Sequence, residues 1–432
     1  MQYYSLNKQA PAVSFKEAVI KGLAPDKGLY FPSEIVKLDD SFFKSITQMS
    51  HVEIAFKVIE SFVGNEIPEQ DLKAILTDVL SFDFPLVEVK KDVFALELYH
   101  GPTLAFKDVG ARFMARCLGY FNKKEKQQEE VTVLVATSGD TGGAVASGFY
   151  DVPGVNVVIL YPSGKVSDIQ EKQLTTMGKN ITAIEVEGTF DDCQAMVKQA
   201  FLDGDFKGKR NLTSANSINV ARWLPQMFYY FFTYKALVHL KKEIVFSVPS
   251  GNYGNICAGM MAQKMGLPIK HFITGTNVNN TVPHYLKAGE YLAKQSVATI
   301  SNAMDVGDPS NFIRIQELHN RDIAKLRLNL TGYSFTDDQT REVMLDLYDN
   351  YKYVSDPHGA IGYAALEKYL SSQEALIGVF LETAHPVKFL DVLPEKIKKV
   401  VAIPESIIEI IKKEKKVERI FEYQELKTFL LK

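Results

Sequence analysis

Cysteine is scarce. Three of 432 residues, Cys117, Cys193 and Cys257, lie far apart and form no C-x-x-C pair. That excludes a disulfide framework, argues against a cysteine-rich zinc site, and matches a reducing compartment. No metal is expected. An excess of either charge is also missing: 49 Lys and Arg stand against 52 Asp and Glu, a formal net charge of -3. Without a basic field or a basic arm, nucleic acid is not an expected partner. Long apolar runs are lacking too, since Val131–Ala136 and Val155–Leu160 fall far short of the roughly 20 residues that cross a bilayer. The opening MQYYSLNKQAPAVSF has no basic stretch followed by an apolar core. Nor has it the Arg-rich, acid-poor profile of a transit peptide. A cytoplasmic protein without a membrane partner is the expectation.

What is present builds a sizeable core: 46% apolar and 23% charged residues, spread over a length that suggests two or three domains at about 100–200 residues each. The first ninety residues carry amphipathic helical patterns, for example Val52, Ile54, Ala55, Val58, Ile59 and Phe62, then Leu72, Ile75, Leu76 and Val79. Phe84-Pro85 breaks the pattern, because a residue before proline is steered out of the helical region. Beyond it, apolar runs alternate with helical stretches. Val131–Ala136 precedes a Gly-rich turn and a small-residue helix, Val155–Leu160 a helix over Ser167–Met177, and Ile181–Val186 a helix over Phe190–Phe201. A long helix is expected over Val220–Leu240. Ile244–Val248 leads into a second Gly-rich turn and a helix starting near Gly254 or Asn255; Ile269–Thr274 and Ala375–Leu381 complete the strands. Strands that are apolar without alternation, spaced by helices, predict an α/β fold with doubly wound open parallel sheets. Ligands then bind at the carboxyl ends of the strands. The Lys/Glu-rich stretches Asn122–Glu130 and Lys396–Lys399 read as solvated helix faces or loops. The tail Ile407–Lys416 mixes apolar and charged residues at helical spacing.

Five segments carry candidate chemistry. In Leu98–Arg112, LYHGPTLAFKDVGAR, Lys107 sits at the mouth of a helix among apolar neighbours. Desolvation and a positive helix end both disfavour its ammonium, freeing a neutral amine for a Schiff base. An ordinary first-turn lysine paired with Asp108 reads the same in sequence. In Ile244–Cys257, IVFSVPSGNYGNIC, a strand ends in a Gly/Asn loop at a helix start. Such a loop offers backbone amides to a phosphate, or is simply a tight turn. It is neither a P-loop nor GxGxxG. ATSGDTGG over 136–143 is a second strand-to-helix junction, where hydroxyls and amides favour an anion such as a carboxylate; helix capping is the bland alternative. In Thr213–Arg222, TSANSINVAR, Asn216, Ser217 and Arg222 suit a phosphate or carboxylate. In LETAHPVKF, Thr383 stands at a strand end.

Together these segments resemble the threonine synthase family, pyridoxal-phosphate enzymes of the tryptophan-synthase-β-like fold. The resemblance covers nearly the whole chain. It runs from YYSLNKQAPAVSFKEAVIKGLAPDKGLYFP through HGPTLAFKD, ATSGDTGGA, PSGNYGN and MDVGDPSNF to ETAHPVKF, with Tyr253 where many relatives have Phe. It implies pyridoxal 5'-phosphate as cofactor, with Lys107 as the Schiff-base lysine. Gly251, Asn252, Tyr253, Gly254 and Asn255 would lie at the cofactor phosphate, and Thr383 by the pyridine nitrogen. It further implies that Thr137, Ser138, Gly139, Asp140, Thr141 and Gly142 hold the substrate carboxylate, and that Asn216, Ser217 and Arg222 grip a leaving phosphate. The implied reaction converts O-phospho-L-homoserine and water to L-threonine and phosphate, in a monomer or homodimer. A serine/threonine dehydratase-type eliminase and a non-catalytic relative are the alternatives; the first needs no second phosphate site, and the second would not need the lysine and both loops. The expected organisation is an N-terminal domain over 1–90, a large cofactor domain over 91–124 and 226–432, and a small inserted α/β domain over 125–225 that closes on substrate. The segments Gly307–Asn311 (GDPSN) and Ser355–Ala360 (SDPHGA) also look like family features, with Asp356 and His358 read as structural.

Overall fold

A computed structural model describes residues 1–125, 130–206, 208–373 and 375–432. Of the stretch Asn122–Glu130, residues 126–129 therefore lie outside the described residues. The chain divides into two compact units. The larger comprises Met1, Phe31–Phe106 and Trp223–Ala402; the smaller comprises Gln2–Tyr30, Lys107–Arg222 and Ile403–Lys432. Among the described residues, no helix is long and apolar enough to cross a membrane.

A six-stranded sheet organises the larger unit, in the order Leu330–Ser334, Ile269–Thr276, Glu243–Pro249, Leu376–Glu382, Val93–Glu97, Leu86–Lys90. The first five run parallel and the last is antiparallel. Strands covered on both faces need no polar alternation, and Ile244–Pro249 is buried throughout. Helix Pro357–Leu370 approaches closely because Gly275 and Gly378 have no side chain: a Cβ there would meet Ile361 at 2.9 Å and Leu366 at 2.8 Å. In the N-terminal part, helix His51–Val63 starts at a capping box, in which the Ser50 hydroxyl accepts from the Glu53 N–H and the Glu53 carboxylate from the Ser50 N–H. It buries Ile54, Ala55, Val58, Ile59 and Phe62, the stripe read from the sequence. Each large apolar side chain so buried contributes about 1.5–3 kcal/mol before entropy is subtracted.

The long helix expected over Val220–Leu240 is interrupted. Val220–Trp223 is helical, Leu224–Met227 tightens to a 3₁₀ turn containing Pro225, Phe228–Leu237 is helical again, and Val238–Leu240 is a second 3₁₀ turn. Proline lacks the N–H that a regular helix interior would use.

The smaller unit holds a five-stranded sheet, all parallel, in the order Val417–Ile420, Ile181–Val186, Val155–Pro162, Val131–Ala136, Asn211–Ser214. Leu134, Val158, Leu160, Ile184, Val197 and Ile420 belong to its core. Only Glu405–Ile411 of the tail is helical; the chain then adds the edge strand Val417–Ile420 and closes with helix Tyr423–Leu431. That last helix docks by Leu426 and Leu430 and by an ion pair, Lys427 Nζ to the Asp203 carboxylate at 2.8 Å. Asp203 also accepts from the Tyr423 hydroxyl at 2.8 Å.

Two outcomes follow. The Lys427 hydrogen bond, then that of the Asp205 N–H, lowers Asp203 to about 2. A carboxyl depressed in the folded state contributes stability above its ordinary value, and that contribution fades as pH falls from about 4 to about 2. Hydrogen exchange of helix Tyr423–Leu431 should speed up across that window, and less so in Asp203→Asn. Separately, a Cβ on Gly110 would lie 2.4 Å from the Arg222 carbonyl oxygen. Gly110→Ala gains about 1 kcal/mol of helix propensity but meets backbone that cannot give way. Urea unfolding should show a net loss of about 1–2 kcal/mol.

Candidate active site

In the larger unit, three adjacent parallel strands, Glu243–Pro249, Leu376–Glu382 and Val93–Glu97, end on the same edge of the sheet. From that edge run the loop Ser250–Tyr253, the segment beginning at Thr383, and the segment Leu98–Phe106. Parallel strands leave their last backbone groups without ladder partners, and side chains and helix ends complete them. The Ser250 N–H reaches across to the Gly275 carbonyl at 3.0 Å. Asn255 closes the turn, its amide donating to the Pro249 carbonyl at 2.9 Å, while its own carbonyl accepts from the Tyr230 hydroxyl at 2.8 Å.

Tyr253 adopts the left-handed conformation, φ 62°, immediately before helix Gly254–Lys264, and its side chain does not cap that helix; the Asn255 side-chain oxygen accepts from the Ile256 N–H at 2.9 Å. A helix start of this kind, with its N-cap side chain turned into the core, suits an anion at the remaining first-turn N–H groups. The Tyr253 ring is buried, edge-on to Phe312, and its hydroxyl accepts from Thr274 at 3.1 Å. Burial pushes that phenol well up from its ordinary value. The side chain therefore belongs to the core, and only the backbone of Tyr253 is presented to the loop. Gly251 is required for a different reason: a Cβ would stand 2.4 Å from the Ala303 carbonyl oxygen.

The segment before Lys107 is strapped from several sides. The Phe106 N–H donates to the Thr383 carbonyl at 2.9 Å, the Leu98 N–H to the Glu382 carbonyl at 3.0 Å, and the His385 N–H to the Leu104 carbonyl at 3.1 Å. The Phe106 carbonyl accepts from the Tyr229 hydroxyl at 2.5 Å. Lys388, almost fully buried, donates to the Thr103 carbonyl at 2.9 Å. Burial, followed by the His100 charge, lowers His385 to about 4, so its ring is neutral near pH 7 and its Nδ1 accepts from the Val387 N–H at 3.1 Å.

In the smaller unit, Lys107 is the first residue of helix Lys107–Glu125 and is half-buried. Strands Val131–Ala136 and Asn211–Ser214 are parallel neighbours, and their carboxyl ends carry the other two candidate segments. Thr137 organises the first, its hydroxyl oxygen accepting from the N–H groups of Gly139 and Gly142 at 2.9 and 2.8 Å. Gly139, at φ 136°, precedes helix Asp140–Phe149, which has no side-chain cap at its N-cap residue. Asp140 is buried and accepts from the Gln170 amide at 2.9 Å; Ser138 and Thr141 are half-buried. In the second segment, Asn216 ties the loops together by donating to the Ala136 carbonyl at 2.9 Å. Ser217 is half-buried and Arg222 is buried. The Arg222 N–H donates to the Asn219 carbonyl at 3.0 Å.

The fold thus brings Gly251–Asn255 and Thr383 to one sheet edge, and Thr137–Gly142 with Asn216, Ser217 and Arg222 to another. Sequence reasoning missed what holds them. Asn252 is clamped by the GDPSN segment, with the Ser310 N–H on its side-chain oxygen at 2.6 Å and the Asn311 N–H on its carbonyl at 3.3 Å. The motif was visible but its work is done by backbone amides. Tyr229 gave no signal, being one of a run of aromatic residues.

Three family models match: "Threonine synthase N terminus" over residues 2–79, "Pyridoxal-phosphate dependent enzyme" over 77–378, and "Threonine synthase, C-terminal" over 359–430. The threonine synthase of Escherichia coli is 43% identical over 413 residues, covering 95% of this chain and 94% of that protein. The one from Buchnera aphidicola of Acyrthosiphon pisum is 42% identical over 100% of both chains. Among solved structures, E. coli threonine synthase superposes with a TM-score of 0.93 at 41% identity, covering 100% of this chain and 99% of that one. A PLP-bound threonine synthase from Brucella melitensis gives 0.91 at 33% identity, with the same coverage. Maize serine racemase, at 15% identity and a TM-score of 0.53 over 77% of this chain and 92% of its own, shares the fold alone. Matched by these family models over almost its whole length and by relatives more than 40% identical over nearly all of it, the chain belongs to the threonine synthase family of pyridoxal-phosphate-dependent enzymes.

Proposed function

We propose that the chain converts O-phospho-L-homoserine and water to L-threonine and phosphate, with Lys107 as the amine that bonds the cofactor aldehyde. The observation that carries this is the pinned peptide of Phe106, held at both its N–H and its carbonyl, which fixes where the next residue starts. The residues fit the cofactor. The N-terminus of helix Gly254–Lys264, behind Gly251, Asn252 and Tyr253, suits a phosphate, backbone amides of the GDPSN segment hold Asn252, and Thr383 supplies a neutral hydroxyl rather than a carboxylate for the pyridine nitrogen.

When bound, the cofactor supplies the electron withdrawal that allows protons to leave substrate carbon. The chain's own groups do the rest. Lys107, its amine released when substrate takes its place, accepts a proton from Cα and moves protons at Cβ. Thr137, whose hydroxyl oxygen orders the loop by accepting from Gly139 and Gly142 and can donate its own proton outward, binds the α-carboxylate at a helix start together with Ser138, Thr141 and the amides between those two glycines. Asn216, Ser217 and Arg222 grip the phosphate that departs when the Cγ–O bond breaks. Arg222 suits that task because its guanidinium presents paired donors and keeps its charge. The hydroxyl of water then goes to Cβ and its proton to the departed phosphate, while Lys107 returns the two protons it took, one to Cγ and one to Cα, which balances the reaction. Thr383, carrying no charge, leaves the ring nitrogen unprotonated and limits electron withdrawal at Cα, which suppresses transamination.

Purified protein supplied with pyridoxal phosphate should release threonine and phosphate in equal amounts from O-phospho-L-homoserine; pyruvate from L-serine or 2-oxobutanoate from L-threonine, with no threonine formed from O-phospho-L-homoserine, would point to an eliminase instead. Lys107→Ala should be inactive and lack the yellow Schiff-base absorbance. Arg222→Ala should raise KM about ten- to hundredfold, the loss of a charged hydrogen bond of about 1.5–3 kcal/mol; an unchanged KM would remove Arg222 from the leaving-group site. Tyr229→Phe frees one carbonyl at a cost of about 0.5–1.5 kcal/mol. Borohydride trapping of Lys107 should slow severalfold in that variant while the fold, followed by circular dichroism, stays unchanged.

A further inference from the structure

The SDPHGA segment has no part in the chemistry above, yet it holds a dense group of buried ionisable side chains. Asp356 and Glu382 are fully buried and His358 nearly so. Asp356 caps helix Pro357–Leu370, its Oδ1 accepting from the His358 N–H at 2.8 Å and from His358 Nδ1 at 2.5 Å. The other ring nitrogen, Nε2, accepts from the Ala303 N–H at 3.2 Å. An Nε2 that accepts a hydrogen bond carries no proton, so His358 is neutral with its hydrogen on Nδ1. Glu382, the last residue of its strand, receives the Ser355 hydroxyl on Oε1 at 2.5 Å. Its carboxyl fills the space left by Gly359, where a Cβ would stand 2.1 Å from Glu382 Cδ.

Two oxygens in this group, Asp356 Oδ2 and Glu382 Oε2, are buried without a hydrogen-bond donor among the described residues, and the two residues are neighbours through Ser355, whose hydroxyl meets both Glu382 Oε1 and the Asp356 carbonyl. Two ionised carboxylates cannot share such a place, whereas one proton between these oxygens satisfies both. The proton's owner follows from the donors. Asp356 has two N–H donors and a helix N-terminus to support its charge, while Glu382 has one hydroxyl. Glu97, Tyr99 and Tyr353 also face Glu382, and none of them supplies a cation. Burial first, then the Asp356 charge, raises the Glu382 carboxyl well above its ordinary value.

We propose that Glu382 is a neutral carboxylic acid donating to Asp356, and that the chain Glu382–Asp356–His358–Ala303 is a positioning device. One end of it is the residue before Thr383. The other is the backbone of Ala303, whose carbonyl lies against Gly251. The device thus fixes the spacing between the residue assigned to the pyridine nitrogen and the turn assigned to the phosphate, and in that respect it rests on the proposed cofactor site. Glu382 and His358 touch no reacting atom.

Glutamine reproduces a neutral acid: its NH₂ can donate to Asp356 Oδ2 and its carbonyl can accept from Ser355. Leucine fills the volume and can do neither. Apoprotein of Glu382→Gln should bind pyridoxal phosphate, followed by Schiff-base absorbance and quenching of protein fluorescence, within about threefold of the unsubstituted protein. Glu382→Leu should bind at least tenfold more weakly and show a shifted absorbance band. If the Gln variant binds as weakly as the Leu variant, a carboxylate is needed and the proposal falls. Infrared spectra of the unsubstituted apoprotein at neutral pH should contain the carbonyl stretch of a buried carboxylic acid, lost in Glu382→Gln. Absence of that band overturns the proposal even if both variants fail to fold. Failure of the cofactor site itself would show differently, as an unsubstituted protein that forms no Schiff base.

Discussion

The hydrogen bond from the Phe106 N–H to the Thr383 carbonyl is the constraint on which the rest depends. It is formed where two neighbouring parallel strands, Val93–Glu97 and Leu376–Glu382, have already ended, so nothing in the ladder itself requires it. It exists because the chain after Gly101 doubles back, with Leu104 in the left-handed conformation at φ 57°, and because Ala105 bridges Ala384 in antiparallel fashion. The result is a stiff segment directly before a helix that opens with the lysine proposed to react. A lysine side chain has four rotatable bonds. Fixing its backbone removes the freedom that can be removed without touching the amine, and effective concentration at a reacting aldehyde rises accordingly.

The same economy recurs around the loop Ser250–Tyr253, proposed to hold the cofactor phosphate. Few side chains of Ser250–Asn255 face outward; Asn252 and Asn255 bind the protein itself, and Tyr253 packs into the core. What is left to an anion is backbone, which cannot be titrated and carries no rotamer entropy. A Tyr at 253, where the family resemblance expects Phe, leaves the loop backbone unburdened, because its hydroxyl meets Thr274, away from the loop.

Much of this is legible in the sequence, and the reasons for what is not are physical. Most interior strands of the two larger sheets are apolar runs buried on two faces, and Val131–Ala136 and Ile181–Val186 have the bounds their composition suggests; the interior strand Val93–Glu97, with one β-branched residue, carries no such signal. Because ligand sites follow from strand direction, apolar runs that end in Gly-rich turns are enough to mark the junctions after Ala136 and Pro249 as candidates. The strands Asn211–Ser214, Leu330–Ser334 and Val417–Ile420 carry no such mark: they are four or five residues long, half-polar, and at sheet edges where alternation is weak. Val220–Leu240 has a helical composition that hides the effect of Pro225. Lys107 is nominated by its apolar neighbourhood but singled out only by resemblance, since composition does not distinguish it from any first-turn lysine. The clamp on Asn252 and the partner of Asp356 lie 58 and 26 residues away from the groups they hold, with no local pattern to reveal them.

A neutral acid at position 382 and a neutral hydroxyl at 383 make sense as one arrangement. Two unit charges about 6 Å apart interact by roughly 3 kcal/mol at an effective dielectric of about 20, equivalent to about two pKa units. An ionised carboxylate at 382 would therefore favour a proton on any base near Thr383, undoing what the choice of threonine over an acidic residue provides. Keeping Glu382 protonated and confining the remaining charge to Asp356, where a helix N-terminus and His358 offset it, avoids that. Removing the carboxyl altogether would leave the Ser355 hydroxyl and Asp356 Oδ2 buried without a partner, a penalty of about 1–3 kcal/mol for each group. On the proposed assignment, a buried acid held protonated keeps this strand end polar enough to be rigid and neutral enough to leave a base beside Thr383 unprotonated.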